Sequence, residues 1–302
     1  MKNQNHAKTE PCFHNPFKRN HCSKCGACYD GASNACPNCH EKNVDDDRFL
    51  RSFGKISNVS PLRELFLFLM GWLGFQAIAI VMSLIVAGVK MSSLANMGYT
   101  GDALEAEYQA FTKSAEALAW CNYPSYIVLF AGLTLILWNE IPKLFPSFKR
   151  ATNYLAAFGV AGVCIGFSFL WSFISQQFFE ATTNENQLAV NEMVLYSPVC
   201  AVLITGIIGP LCEELTYRVG LFGFAKRINR VLAYIVASLL FGLIHIQDFT
   251  SPNEWLSYPT YVFSGLALAF AYERFGLATS WTAHSLNNLL SVILILLEGK
   301  GS

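Results

Sequence analysis

Charge is scarce in this 302-residue chain: Asp, Glu, Lys and Arg make up 14% of it, while 53% is hydrophobic. A soluble domain carries about 25% charged residues, so this chain cannot cover a water-facing surface in the usual way. Net charge is lacking too, with 21 basic and 21 acidic residues, which argues against nucleic acid as a partner. The first 50 residues have no apolar h-region of the kind a signal peptide requires; they are polar and cysteine-rich. The charge that is present sits in the first 65 residues and in short patches between long apolar runs. That is the distribution of a membrane protein.

The apolar runs predict an all-α, polytopic bundle of about seven spans, each long enough for a hydrocarbon layer that takes about 20 residues. They are Leu65–Val89, Tyr123–Trp138, Tyr154–Phe179, Tyr196–Phe224, Val231–Ile246, Tyr258–Tyr272 and Leu277–Leu297. A short or re-entrant element around 248–258 is an open alternative. The stretches 90–118 and 180–195 read as polar connections. With the N-terminus inside, segments 1–64, 139–153, 225–230 and 273–276 are cytoplasmic and hold most Lys and Arg. The outer segments hold only Lys90, Lys113 and Lys300, as the positive-inside rule requires. A multi-pass protein of the cell membrane with a cytoplasmic N-terminus follows, its first partner being the lipid bilayer. No internal repeat of the transporter kind is present.

Six of the ten cysteines fall within residues 12–39, and four of those form two CxxC knuckles, Cys22–Cys25 and Cys36–Cys39. A CxxC turn sets two thiolates on one side of a bend, and two such turns close a tetrahedron around Zn²⁺. A cytosolic location disfavours the disulfide alternative. Residues 1–42 are therefore expected to be a zinc ribbon with its core at 22–39, followed by a linker at 43–63 and a membrane domain at 64–302. The ribbon resembles the short N-terminal zinc ribbons of many bacterial proteins, which are structural or recruit a protein partner. Cys12, Cys28, His14, His21 and His40 are possible substitute ligands. Cys121, Cys164, Cys200 and Cys212 stand alone in or beside apolar segments and read as small hydrophobes.

Ionisable residues inside a span cost about 2.5–3.5 kcal/mol on insertion scales and mark function or pairing. The first three spans have almost none away from their ends, whereas the last four carry Glu213, Glu214, Arg218, His245, His284, Asn287 and Asn288. At about 1.5 Å rise per residue, Glu213, His245, His284 and Asn288 lie at similar depths from the basic boundaries Lys226, Arg230 and Arg274. Glu214 and Arg218 are spaced i, i+4 in the better order for an ion pair. Asp248, Glu254 and Glu273 lie at loop boundaries and read as solvated, and the tryptophans as interface anchors or packing.

Glu213-Glu214-Leu-Thr-Tyr-Arg218 fits an EExxxR motif, Phe241–His245 fits FxxxH, and His284–Asn288 fits HxxxN. In this order, each on its own apolar segment, they resemble the CAAX protease and bacteriocin-processing family of intramembrane endopeptidases over residues 195–297. One departure is Tyr217-Arg218-Val219, where the family usually has Phe-Arg-Gly. The resemblance implies that Glu213 and His245 activate water and that His284 and Asn288 stabilise the oxyanion, while Glu214 and Arg218 brace the helix. The substrate it implies is a peptide or lipidated protein, either prenylated or a leader-type peptide. An alternative uses Glu213, His245 and His284 as ligands of a catalytic zinc. No HExxH is present, so metal-free hydrolysis is favoured. A transporter relaying protons, or a non-catalytic scaffold, are readings from other classes.

Metal analysis of the purified chain is expected to give one zinc per chain, lost when Cys22 and Cys25 are both changed to Ser. A metal-free wild-type chain would remove the ribbon.

Overall fold

The computed structural model describes residues 19–21, 28–30, 36, 38–39 and 59–299. Its contacts divide the chain into two compact units, Met1–Lys55 and Ile56–Ser302. In the first, strands β1 (Arg19–His21) and β2 (Cys28–Asp30) pair antiparallel with Asn20 opposite Tyr29. Cys22 and Cys25, between them in sequence, lie outside the described residues; Cys36 is buried and Cys39 partly so.

The second unit is an all-α polytopic bundle. Its helices are α1 (Pro61–Asn96), α2 (Gly101–Thr112), α3 (Ala115–Leu137), α4 (Ala151–Phe179), α5 (Glu185–Tyr196), α6 (Pro198–Lys226), α7 (Arg230–Leu243), α8 (Pro252–Phe275) and α9 (Leu277–Glu298). A short turn, Ile141–Leu144, and a 3-10 turn, Phe145–Lys149, join α3 to α4. The helix starts carry the expected signals. Pro61 stands at the first turn of α1, where a missing N–H costs nothing. Ser114, Asn184 and Asn229 cap α3, α5 and α7 by accepting from the backbone N–H three residues on.

All seven expected spans are helical. Five (α1, α3, α4, α6 and α9) are long and apolar enough to cross a membrane. Helix α7 is apolar but has 14 residues, and α8 has 24 residues with a more polar composition. Helix α7 stops at Leu243, so His245 sits in the following turn rather than inside a helix. No separate element occupies 248–258: residues 244–251 form the turn and Pro252 opens α8. The two polar connections each hold a helix, α2 and α5.

The bundle is apolar outside. Leu84, Leu135, Leu155 and Phe178 are each about 70% exposed or more, a surface suited to lipid rather than water. Helix α6 is its centre. Half of its most apolar window is buried, against 6% for that of α1, and Val219 and Phe222 of α6 pack with Leu67, Leu133 and Leu137.

Close approach of α1 to α6 depends on Gly220. A Cβ there would lie 2.8 Å from the Phe68 backbone N and 3.0 Å from the Glu64 carbonyl oxygen, contacts with main chain that cannot swing aside. Small residues at such crossings let helix backbones approach in lipid.

One end of the bundle is tied by buried carboxylates. Glu64 accepts from Arg227 at 2.6 Å, Glu140 from Arg63 at 2.8 Å, and Glu273 pairs with Lys226 at 2.7 Å and Arg230 at 3.0 Å. At the other end the Glu254 carboxylate accepts from the backbone N–H of Glu185 at 2.6 Å and of Gln247 at 3.1 Å. Glu254 and Glu273, expected to be solvated, are 1% and 4% exposed. Each has donors enough to repay its desolvation. Asp248 is exposed as expected, and the Thr250 hydroxyl and N–H donating to its carboxylate hold it below its ordinary range.

Gly220→Leu is expected to lower stability by about 2 kcal/mol, read as earlier thermal unfolding of the detergent-solubilised protein. Gly88→Leu in α1, where an added Cβ meets nothing within 4 Å, is the matched control and should leave the transition unmoved.

Candidate active site

Helix α6 is not a regular α-helix along its length. Two π-helical stretches, Ala201–Ile208 and Leu215–Phe222, flank the α-helical turn Gly209–Glu214. A π-bulge shifts the helical register and recurs at functional sites. Here the two shifts bracket Glu213 and Glu214, so the adjacent carboxylates leave the helix toward different surroundings.

Glu214 goes inward. It is fully buried, with Oε2 3.3 Å from Arg218 Nε and Oε1 2.9 Å from His284 Nδ1. Arg218 is 1% exposed and lies with its guanidinium 4.2 Å from the centre of the Phe241 ring, a cation–π contact in a dry setting. The expected Glu214–Arg218 pair is therefore present. The pair does more than brace one helix, because Glu214 also holds His284 of α9.

Glu213 goes toward a cavity. Its Oε1 accepts from the Tyr126 hydroxyl at 3.3 Å, and its Oε2 lies 3.6 Å from His284 Nε2, beyond hydrogen-bond reach. His284 thus spans the two glutamates, Nδ1 to Glu214 and Nε2 facing Glu213. A carboxylate already paired with Arg218 is an acceptor, so His284 Nδ1 is protonated. Glu213 Oε2 is buried and makes no hydrogen bond to the described residues, which leaves it as the oxygen able to take a proton.

His245 reaches the same cavity from the turn after α7. Its Nδ1 lies 2.8 Å from the Phe241 carbonyl oxygen. A carbonyl only accepts, so Nδ1 is the protonated nitrogen and Nε2 presents a lone pair. The ring stacks on Tyr261 at 4.2 Å between centroids and 15° between planes. The Glu254 carboxylate fixes the His245 turn through the Gln247 N–H. His245 is held at both its nitrogen and its ring face.

The cavity measures about 420 Å³, and Glu213, His245, Asn288, Tyr126, Gln76 and Asn122 are among the residues on its wall. Three of the four residues expected to share one layer line it. The fourth, His284, abuts it through Glu213. Asn288 donates one amide hydrogen to the Thr205 carbonyl oxygen at 3.1 Å, a bond across to the first π-helical stretch, and keeps its second hydrogen. Glu214 and Arg218 do not line the cavity. They are positioning residues for His284. Among the described residues no three of His, Cys, Asp and Glu are placed to hold a metal ion, so Glu213, His245 and His284 are not grouped as a metal site.

Several site residues escape a reading based on charge alone. Tyr126 and Asn122 sit one turn apart on α3, and Gln76 is a single amide in α1. Polar side chains at helical spacing in an apolar span are a signal that could have found them. Nothing in the sequence signals the stacking partner Tyr261 or the buried Glu254.

Comparison with known proteins bears on the same half of the chain. Residues 195–290 match the type II CAAX prenyl endopeptidase Rce1-like family. With the five apolar helices, this match indicates a multi-pass membrane protein. An uncharacterized protein of Mycoplasma capricolum is 40% identical over 97 residues, 32% of this chain and 27% of that protein. The UPF0177 protein YvdC of Lactococcus lactis is 26% identical over 155 residues, 51% of this chain and 55% of that protein. The chain thus spans about half or less of these relatives. No solved structure matches it.

Glu214→Leu is expected to destabilise the protein by about 3–5 kcal/mol, because it strands the Arg218 charge in the core. The double change Glu214→Leu with Arg218→Leu should recover most of that loss in the same unfolding measurement while leaving His284 unanchored. An additive double variant would show that the two side chains do not form a pair.

Proposed function

We propose that this chain is an intramembrane endopeptidase that hydrolyses a peptide bond in a membrane-associated peptide, prenylated or leader-type. The observation that carries the reading is the pairing on one cavity wall of the Glu213 carboxylate, whose Oε2 makes no hydrogen bond among the described residues, with the imidazole of His245, whose Nε2 presents a lone pair. General-base hydrolysis needs those two groups.

In this reading Glu213 and His245 hold a water between them and Glu213 takes its proton as the oxygen attacks the scissile carbonyl. The tetrahedral oxyanion takes the second amide hydrogen of Asn288 and the Nε2 hydrogen of His284 in its imidazolium form, which Glu214 and Arg218 keep in orientation. Collapse of the intermediate breaks the C–N bond. The proton held by Glu213 passes, directly or through His245, to the leaving amine, and both groups return to their starting state.

The N-terminal cysteines Cys22, Cys25, Cys36 and Cys39 are proposed to hold a structural zinc away from this chemistry, in a cytoplasmic ribbon suited to recruiting a protein partner. The test therefore uses a chain lacking residues 1–52, so that a chelator has no ribbon to strip. That chain should cut a membrane-delivered peptide at a rate unaffected by chelation. Glu213→Gln and His245→Ala should each lower kcat by about a hundredfold or more. Full turnover in both variants would end the assignment, and loss of activity on chelation would transfer it to a metal-dependent hydrolase.

A further inference from the structure

The direct bonds at the two ends of the bundle divide its charges. The starts of α1, α7 and α9 and the connection after α3 are tied together by Arg227 with Glu64, Arg63 with Glu140, Arg230 with Glu273, and the Ala278 N–H with the Ser147 hydroxyl. Arg63, Lys143, Lys149, Arg150, Lys226, Arg227, Arg230 and Arg274 lie at this end. The opposite end is joined by Glu254 to Glu185 and Gln247, and by the Asn253 amide oxygen to the Thr182 N–H. Of the other Lys and Arg within residues 59–299, Arg218 is buried in the core, and Lys90 and Lys113 alone belong to the second end. Orientation follows Lys and Arg rather than net charge, so the buried glutamates of the first end do not cancel the bias. The first end is the cytoplasmic one.

A second cavity, of about 660 Å³, lies between α4, α8 and α9 under the 180–184 connection. It shares Gln187, Tyr261, Asn287 and Ser291 with the cavity that holds Glu213 and His245. Thr182 and Thr183, both exposed, line it at the end opposite the basic residues, as Phe169, Ser172, Gln176 and Leu294, also exposed, line it along α4 and α9. Its wall contains no Asp, Glu, Lys or Arg but is rich in amides and hydroxyls, among them Ser172, Gln176, Asn184 and Asn253. Asn287, on the wall common to both cavities, has no hydrogen-bond partner among the described residues.

We propose that this cavity is the vestibule of the catalytic site, that it opens on the extracytoplasmic face, and that it takes an extended peptide segment with uncharged side chains. The proposal rests on the endopeptidase reading above and adds the side of entry and the class of sequence. A peptide must be unwound to be cut, and at membrane depth every freed N–H and C=O needs a partner. Amide side chains supply both donors and acceptors, and Asn287 offers both without breaking a bond in the bundle. A charged substrate residue would lose its hydration there and meet no counter-charge.

The side of entry is read in the full chain by single cysteines. Thr183→Cys marks the proposed opening, and Ile228→Cys, at an exposed position (71%) of the basic end, marks the other face. A membrane-impermeant maleimide should label Thr183→Cys in intact cells and Ile228→Cys only after permeabilisation, above the background of the parent chain. The reverse pattern overturns the proposal. The class of sequence is read with a fluorogenic peptide that the chain cuts, made with Lys, Gln or Glu flanking the scissile bond. Gln should give the lowest KM. Ser172→Asp should lower KM for the Lys peptide and raise it for the Glu peptide by about fivefold, and Ser172→Lys should do the opposite, a sign reversal that a merely structural role does not produce. Absence of any charge-dependent split overturns the vestibule. Reversed labelling with turnover that still requires Glu213 sinks this inference alone. Turnover that survives Glu213→Gln sinks the endopeptidase reading and this inference with it.

Discussion

A carboxylate with no access to water has to find its partners inside the bundle, and Glu214 finds them on two other turns of structure. Arg218, one turn on in the same helix, supplies the opposite charge at 3.3 Å, and His284 of α9 donates at 2.9 Å. Without these partners the burial would cost several kcal/mol. With them the requirement becomes a constraint on geometry: α9 must present His284 to α6, and Phe241 of α7 must lie under the guanidinium. Three helices are thereby held around one point. The groups that face the cavity, Glu213, His245 and Asn288, inherit their positions from that arrangement.

Adjacent glutamates on an ordinary helix diverge by about 100°, which by itself separates a structural role from a chemical one. The π-helical stretches on either side adjust where each carboxylate points and free carbonyls to act as acceptors, one of which, Thr205, holds Asn288. The second histidine is placed differently. His245 lies beyond the end of α7, in a turn whose backbone is fixed by the buried Glu254. Glu254 bonds at the same time to the first N–H of α5, so the turn that bears His245, α5 and α8 are joined through one carboxylate. A buried carboxylate outside the cavity thus fixes the turn that places His245.

The legible part of this structure was that which lipid forces into the sequence. Long apolar runs gave the helices, and charged residues inside them marked Glu213, Glu214, Arg218 and His284, because a hydrocarbon setting makes such residues rare. The Glu214–Arg218 pair follows from i, i+4 spacing. What spacing does not carry is the partner across helices. Glu254 and Glu273 look like solvated loop ends by position, yet each is buried by donors that come from 7 to 69 residues away. Helices α2 and α5 were hidden because their faces are mixed, with no long apolar run. Tyr126 and Gln76 were passed over because neutral polar groups do not stand out in a scan for charge.

The two cavities carry opposite chemistry on a shared wall, and that contrast follows from what each must tolerate. In the proposed reaction a proton moves around Glu213 and His245, so ionisable groups are needed there and neighbours at fixed distance balance their charge. Beyond Asn287 and Gln187 the proposed vestibule has only a peptide main chain to accommodate, and ionisable groups there would bind water or ions too firmly to yield to it. Neutral amides exchange one hydrogen-bond partner for another at little net cost. The boundary between reacting and holding therefore coincides with the boundary between charged and uncharged polar residues. On α9 that boundary falls between His284 and Asn287, less than one turn of helix apart.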